Sequence, residues 1–227
     1  MVHEELKKEI LEQIKDAEKV LIGIGPEWQM HCPEDGDLRQ CCLGDEGQEE
    51  IKKAYDCLHE LVKEKDYFVV TTVMDGAVYD TGFDRGRITA PCGNVHWRQC
   101  SKACTKDIWE EGEISDDICP HCKAPLTGNT IKAETYIEEG YLPSWRAYTK
   151  WQTGTLNRKL VILELGEGFL TPTVMRWPFE KIAFFNQKSQ LYRVHESLCQ
   201  IPDEVKERAV GIKESSLQFI LDFTTLI

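Results

Sequence analysis

The chain has 227 residues, 41% of them hydrophobic and 29% charged, with 27 Lys and Arg against 39 Asp and Glu, a formal net charge of -12. This composition excludes a disordered, collagen-like or coiled-coil chain and allows one or two domains with a sizeable core. The acidic balance argues against nucleic acid as a partner. No apolar run approaches the roughly 20 residues of a membrane helix, and the charged, amphipathic start MVHEELKKEILEQ is unlike a signal peptide. A soluble, cytoplasmic protein with no membrane partner is expected.

In chain order, residues 4–19 read as an amphipathic helix, with Leu6, Ile10, Ile14 and Ala17 at helical spacing. Val20 to Ile24 reads as a short buried strand ending in a glycine turn that contains Gly23 and Gly25. Residues 26–47 are polar and rich in Gly, Pro and Asp, hence loop. A second helix is expected over 48–64, with Ile51, Tyr55, Leu58 and Val62 on one face and Cys57 as a small buried residue. Tyr67 to Thr72 is a strand by its aromatic and β-branched content. A cysteine-containing module spans about 96–135 and looks inserted rather than linked. A helix carrying Trp145, Tyr148 and Trp151 follows, and these aromatics are expected in the core. Leu160 to Leu165 is the clearest buried strand and ends in the glycine turn Gly166-Glu167-Gly168. Residues 172–185 read as a helix, 190–194 as a strand, and the tail from 202 as one or two helices.

Helices alternating with short, fully apolar strands predict a Rossmann-like, doubly wound parallel α/β sheet. The expected division is a main domain from 1–95 and 136–227, interrupted by a small zinc-ribbon module at 96–135. In such sheets ligands bind beyond the carboxyl ends of the strands. Both glycine turns fall there, where a backbone can approach a pyrophosphate and a following helix offers its N-terminus.

Ten cysteines without a secretion signal suggest metal or catalysis before disulfides. Cys100 and Cys104 are separated by three residues, and Cys119 and Cys122 bracket Pro120-His121 after a fourteen-residue spacer. Two close pairs across a short loop suit tetrahedral zinc, whose thiolates converge at about 2.3 Å. Four thiolates close the coordination sphere, so the expected metal is structural. His121 is a weaker alternative ligand. Neighbouring Cys41 and Cys42 carry no readable chemistry.

The order is strand with G-x-G, helix, strand ending T-x-x-x-D-G, cysteine module, strand ending G-x-G, helix, strand. With the segments TTVMDGAVYDTGFDRGRITAPCGNVHWRQC and KLVILELGEGFLTPTVMRWPFEKI, this resembles the sirtuin (Sir2) family over roughly residues 15–222. It looks closest to the bacterial, macrodomain-linked members that act as protein ADP-ribosyltransferases; ELG-x-G-x-x-TP, GFD and QCSK suggest that group. The resemblance implies NAD bound between a Rossmann-like domain and a zinc ribbon. It assigns the cofactor turn to Gly23 and Gly25, a cofactor-loop arginine to Arg39, and the Thr-Gln-Asn-x-Asp residues to Thr71, Thr72, Val73 and Asp75. It also assigns the ribose-phosphate turn to Gly166 and Gly168, and an adenosine-ribose contact to His195.

Cys92, before Gly93, stands where the family has its catalytic histidine, and Val73 stands where it has asparagine. Lysine deacylation needs a base, for which histidine suits and an ordinary thiol does not. ADP-ribosyl transfer leans more on positioning, so transfer to a protein acceptor is the expected activity. The resemblance suggests a lipoyl-carrier acceptor and a macrodomain partner. The alternative is a degenerate sirtuin that binds NAD or ADP-ribose as a sensor or scaffold. His96 is a second candidate for the lost base, and Glu167 is expected to repel phosphate.

Overall fold

A computed structural model describes residues 2–29 and 45–226; Arg39, with Cys32, Cys41 and Cys42, lies outside them. Helix α1 (Val2–Asp16) leads into β1 (Lys19–Ile24), a 3-10 turn (Pro26–Trp28), helix α2 (Asp45–Val62) and β2 (Asp66–Thr71). After the two-residue β3 (Ile88–Thr89) come β4 (Gly93–Cys100), β5 (Trp109–Glu110) and β6 (Leu126–Thr130). The chain then runs through α3 (Leu142–Thr153), β7 (Leu160–Leu165), α4 (Arg176–Phe185), β8 (Ser189–Val194), β9 (Ala209–Ile212) and α5 (Ser216–Leu221).

The main sheet is parallel throughout, in the order β3-β2-β1-β7-β8-β9. Strand β1 runs beside both β2 and β7, with Gly23 level with Val70 and Glu164. The two-residue period of a strand sends Val20, Ile22 and Ile24 to one face and Leu21 to the other. The first face packs against Ile10 and Ile14 of α1, Ile51, Tyr55 and Leu58 of α2, and Phe219 of α5. The second packs against Tyr148 and Trp151 of α3 and Phe179 and Ile182 of α4. Both faces are therefore covered, which is why the strands read as continuous apolar runs. Strands β4, β5 and β6 form a separate antiparallel sheet in the order β5-β4-β6.

Two expectations are corrected. The tail contributes a sixth strand, β9, before its short helix, and β9 pairs parallel with β8. Ala-Val-Gly-Ile is only four residues long and is flanked by Arg208 and Lys213, so periodicity hid it. Helix α4 starts at Arg176 rather than 172. Cys57 is buried as expected, with its thiol donating to the Ile220 carbonyl at 3.1 Å.

Glu164 interrupts the apolar run of β7 and is fully buried. The Arg193 guanidinium on the neighbouring strand donates to both its oxygens, at 2.5 and 2.9 Å, and Arg176 lies 3.7 Å away. Arg193 also reaches Glu180 of α4 at 2.8 Å. A buried carboxylate persists only when paired and hydrogen-bonded this completely.

Candidate active site

Because β2, β1, β7 and β8 are parallel neighbours, their carboxyl ends share one edge. Thr72 N–H donates to the Ile24 carbonyl at 3.0 Å, Gly25 N–H to Leu165 at 2.8 Å, and Gly166 N–H to Val194 at 2.8 Å. The chain order reverses between β1 and β7, the switch point where a crevice forms.

The turns after β1 and β7 press on each other. A Cβ on Gly25 would lie 2.4 Å from the Glu167 Cα. Gly166 has φ +69°, and a Cβ there would meet Glu27 at 2.5 Å and the Ser216 hydroxyl at 2.7 Å. Both positions demand glycine for packing. Gly23 serves the same end, since its Cβ would strike Met175 at 2.4 Å and Phe179 at 2.5 Å. Gly168 alone is open; its Cβ would touch only Leu198, at 3.6 Å.

The close approach of the turns carries Glu167 across the end of β1. Its Oε2 accepts from the Thr72 hydroxyl at 2.6 Å. Its Oε1 is buried without a hydrogen-bond partner, and the Thr171 hydroxyl sits beside the carboxyl. Burial pushes the Glu167 carboxyl up to about 7, against the Thr72 hydrogen bond that favours its ionised form. The expected repulsion of phosphate is accordingly reduced near neutral pH.

Cys92 is 2% exposed and packs with Met74 and Val95. Burial pushes its thiol up to about 11, with the nearby Glu167 adding to the effect. Cys92 is therefore neutral and offers no thiolate near neutral pH. Val73 is buried in the core that faces α1, α2 and α5 and adds no polar group. Asp75 accepts from the Ala77 N–H at 3.0 Å, which fixes the turn after β2.

On the other side of the switch point, Glu27 binds the start of α5. Its Oε2 accepts from the Ser216 N–H at 3.0 Å and the Ser216 hydroxyl at 2.7 Å, and its Oε1 from the Glu196 N–H at 2.9 Å. The Trp28 indole donates to the same Ser216 hydroxyl at 3.0 Å. His195 Nδ1 lies 3.0 Å from Glu27 Oε1 and accepts from the Ser197 and Leu198 N–H groups at 3.1 and 3.2 Å. Ser216→Ala should cost about 2 kcal/mol, because it strands the buried indole N–H and removes a donor to Glu27. Urea denaturation checks this; a loss below a few tenths of a kcal/mol contradicts the role given to the hydroxyl.

The edge thus brings together Thr72, Glu167, Cys92 and Thr171 on one side and Glu27 and His195 on the other. It is rich in acceptors. An unpartnered carboxyl oxygen over a glycine turn fits the hydroxyls of a nucleotide ribose better than a phosphate. His96 turns away: its ring is exposed and pairs with Glu111 at 2.7 Å. Thr171, Glu27 and Ser216 escaped the sequence reading. The acidic residues inside the two glycine turns, Glu27 and Glu167, were the available signal.

The four-cysteine cluster forms at the far end of β4. The four sulfurs of Cys100, Cys104, Cys119 and Cys122 lie within 4.8 Å of one another, and Cys100–Cys122 and Cys104–Cys119 are each 3.5 Å apart. Tetrahedral zinc places thiolates roughly 3.8 Å apart, so the cluster fits that metal. Ala103 (φ 48°) and Lys123 (φ 62°) adopt left-handed backbone beside the cysteines. These are strained positions for side-chain-bearing residues, here where the chain wraps the cluster. Burial opposes ionisation of Cys100, but backbone N–H groups of Cys104 and Lys102 hold its thiol at about 6. His121 lies outside the set and pairs with Asp107 at 2.8 Å.

No family model matches the chain. A protein ADP-ribosyltransferase of Staphylococcus aureus is 24% identical over 195 residues, 78% of this chain and 60% of that protein. A protein of Fusarium oxysporum f. sp. cubense, described as "Probable bifunctional ADP-ribose hydrolase/ADP-ribosyltransferase", is 29% identical over 140 residues, 52% of this chain and 24% of that one. The chain therefore spans 60% or less of the length of these curated relatives. Among solved structures, a Sir2 protein bound to an acetylated peptide matches with a TM-score of 0.64 at 12% identity, over 96% of this chain and 97% of that one. A Sir2 homologue in complex with NAD matches with a TM-score of 0.59 at 9% identity, over 96% and 93%. A parallel sheet with acceptor groups gathered at its switch point, a four-cysteine cluster on an inserted antiparallel sheet, and these likenesses agree: the chain has the fold of the Sir2 proteins.

Proposed function

We propose that this chain is an NAD-dependent ADP-ribosyltransferase that modifies a side chain of a protein acceptor, and that it does not deacylate lysine. The observation that carries this reading is the Cys92 thiol. By the sequence resemblance it stands where the family has its base; it is 2% exposed and is held neutral by burial, with a pKa of about 11. Deacylation needs a group there that takes a proton near pH 7; Cys92 does not supply one, and Val73 supplies no hydrogen bond to water. The two ADP-ribosyltransferase relatives support transfer.

NAD, when bound, supplies an ADP-ribosyl group on a nicotinamide leaving group. Glu167, Thr72 and Asp75 are positioned to hold ribose hydroxyls and amide hydrogens at the edge of the sheet. Gly168 leaves room for close approach, Arg39 is proposed for the cofactor loop, and His195 for the second ribose. Cys92 and Val73 keep water from the reacting centre. Exposed Phe169 and Leu170, next to Gly168, offer apolar surface to the acceptor. A lipoyl-carrier acceptor and a macrodomain protein that removes the modification are proposed partners, in the cytoplasm. Among the described residues no helix is long and apolar enough to cross a membrane.

The test is to incubate the zinc-loaded protein with NAD and purified lipoyl-carrier protein, following free nicotinamide and the mass of the carrier. Nicotinamide release with one ADP-ribosyl unit on the carrier is expected, with no deacetylation of acetyl-lysine peptides. Deacetylation at a rate matching nicotinamide release overturns the reading.

A further inference from the structure

We propose that Glu167 is a catalytic residue of this site, the group that receives the acceptor's proton in place of the family's histidine. This rests on the transferase reading above. The carboxyl lies across the switch point, between the Thr72 and Thr171 hydroxyls. Thr72 holds Oε2 at 2.6 Å, while Oε1 is buried and lacks a hydrogen-bond partner. A buried acceptor left empty in this way is costly unless something donates to it during function.

The surroundings select the carboxyl and not its neighbours for proton transfer. Thr72 comes from the end of β2, and Thr171 and Cys92 flank the carboxyl. The Glu164 carboxylate and the Arg176 guanidinium act on it from β7 and α4, with opposite signs. Arg176 is spent on other partners, since it donates to the Glu167 backbone carbonyl at 3.1 Å and to the Leu198 carbonyl at 2.8 Å. No cation is therefore bonded to the carboxyl, which titrates at about 7, the range that suits a general base. Cys92 in the same cluster stays protonated and cannot compete.

The step balances as follows. The bond between the ribosyl carbon and nicotinamide breaks, and its electron pair leaves with neutral nicotinamide. The acceptor's heteroatom bonds to that carbon, and its proton passes to Glu167 Oε1. The carboxyl must be ionised beforehand, so turnover should rise with pH through about 7.

The experiment compares full-length, zinc-loaded wild type, Glu167→Gln and Thr72→Val, with NAD and with purified lipoyl-carrier protein as the acceptor. Nicotinamide release is followed from pH 5.5 to 9, NAD affinity is measured by calorimetry, and the carboxyl band is read by infrared difference spectroscopy. Wild type should show a rise through about pH 7 and a carboxyl band that titrates with it. Glu167→Gln should lose that band and, at saturating NAD, turn over at least about 100-fold more slowly with a flat profile. Thr72→Val removes a donor that favours the ionised form, so its profile should move to higher pH. Wild-type turnover and pH profile in Glu167→Gln overturn the proposal while leaving the transferase reading intact. Release of no nicotinamide by wild type with the carrier overturns both.

Discussion

Replacing Cys119 by serine is expected to release the metal and melt the inserted sheet, the largest single-residue effect the structure contains. Cys119 is fully buried, and the core around it is small: Cys100, Trp109, Cys119 and Ala124, with Ile114 and Leu126 packed against them. So little apolar surface does not hold a fold of this size. Structural zinc supplies about 10–16 kcal/mol in small zinc domains, and that energy is folding energy. Serine leaves three thiolates and a hydroxyl that is a poor ligand at neutral pH. The damage should reach the cleft, because β4 begins at Gly93, next to Cys92. The Ile131 N–H donates to the Cys92 carbonyl, and the Tyr136 hydroxyl to Pro91, both at 3.0 Å. Bound zinc should drop below one per chain, and amide exchange across 96–135 should become fast, while β1 and β7 stay protected. A chelator should do the same to wild type. Full exchange protection in Cys119→Ser would sink the structural role of the metal.

What sequence reveals here depends on how far the signal lies from its partner. The cysteine pairs were legible because each is local and thiolate chemistry leaves few alternatives; the structure gathers all four within 4.8 Å. The strands β1, β2 and β7 were legible because burial on both faces makes them largely apolar, with Glu164 the one charge inside β7; β8 was legible from Leu191, Tyr192 and Val194. Strands β3 and β9 were not, since two and four residues are held by pairing to β2 and β8 rather than by their own pattern. The glycine turns were visible, but their reason was not. Gly25 and Gly166 read as an open cradle, whereas each makes room for the other turn and for Glu27 and Ser216. Glu167 read as a charge, because only the fold buries it against Thr72, ninety-five residues away.

That burial gives the last prediction. The Glu167 carboxyl moves from an ordinary value of 4.5 to about 7 in the folded chain. A carboxyl raised on folding binds its proton more tightly in the native state. Its stabilising contribution is complete below the unfolded value and is lost as pH rises through the folded one. At about 1.4 kcal/mol per unit, the native state forfeits about 3 kcal/mol between roughly pH 4.5 and 7.5. Glu167→Gln keeps an oxygen for the Thr72 hydroxyl and has no charge to bury. It should therefore be more stable than wild type by about 3 kcal/mol at pH 8, or roughly 6–12 °C in melting temperature for a chain of this length, and nearly equal to it at pH 4.5. Other groups titrate in both proteins and cancel in the difference. Calorimetric melting of the two proteins between pH 4.5 and 8.5 decides it, and parallel curves would mean that the carboxyl is not perturbed. A variant that gains stability while losing turnover is the signature of a group kept for chemistry rather than for folding. It also predicts how substrate acts on the site: a ribose hydroxyl that donates to Oε1 favours the ionised form, so binding below pH 7 should expel a proton to solvent, measurable as a buffer-dependent heat.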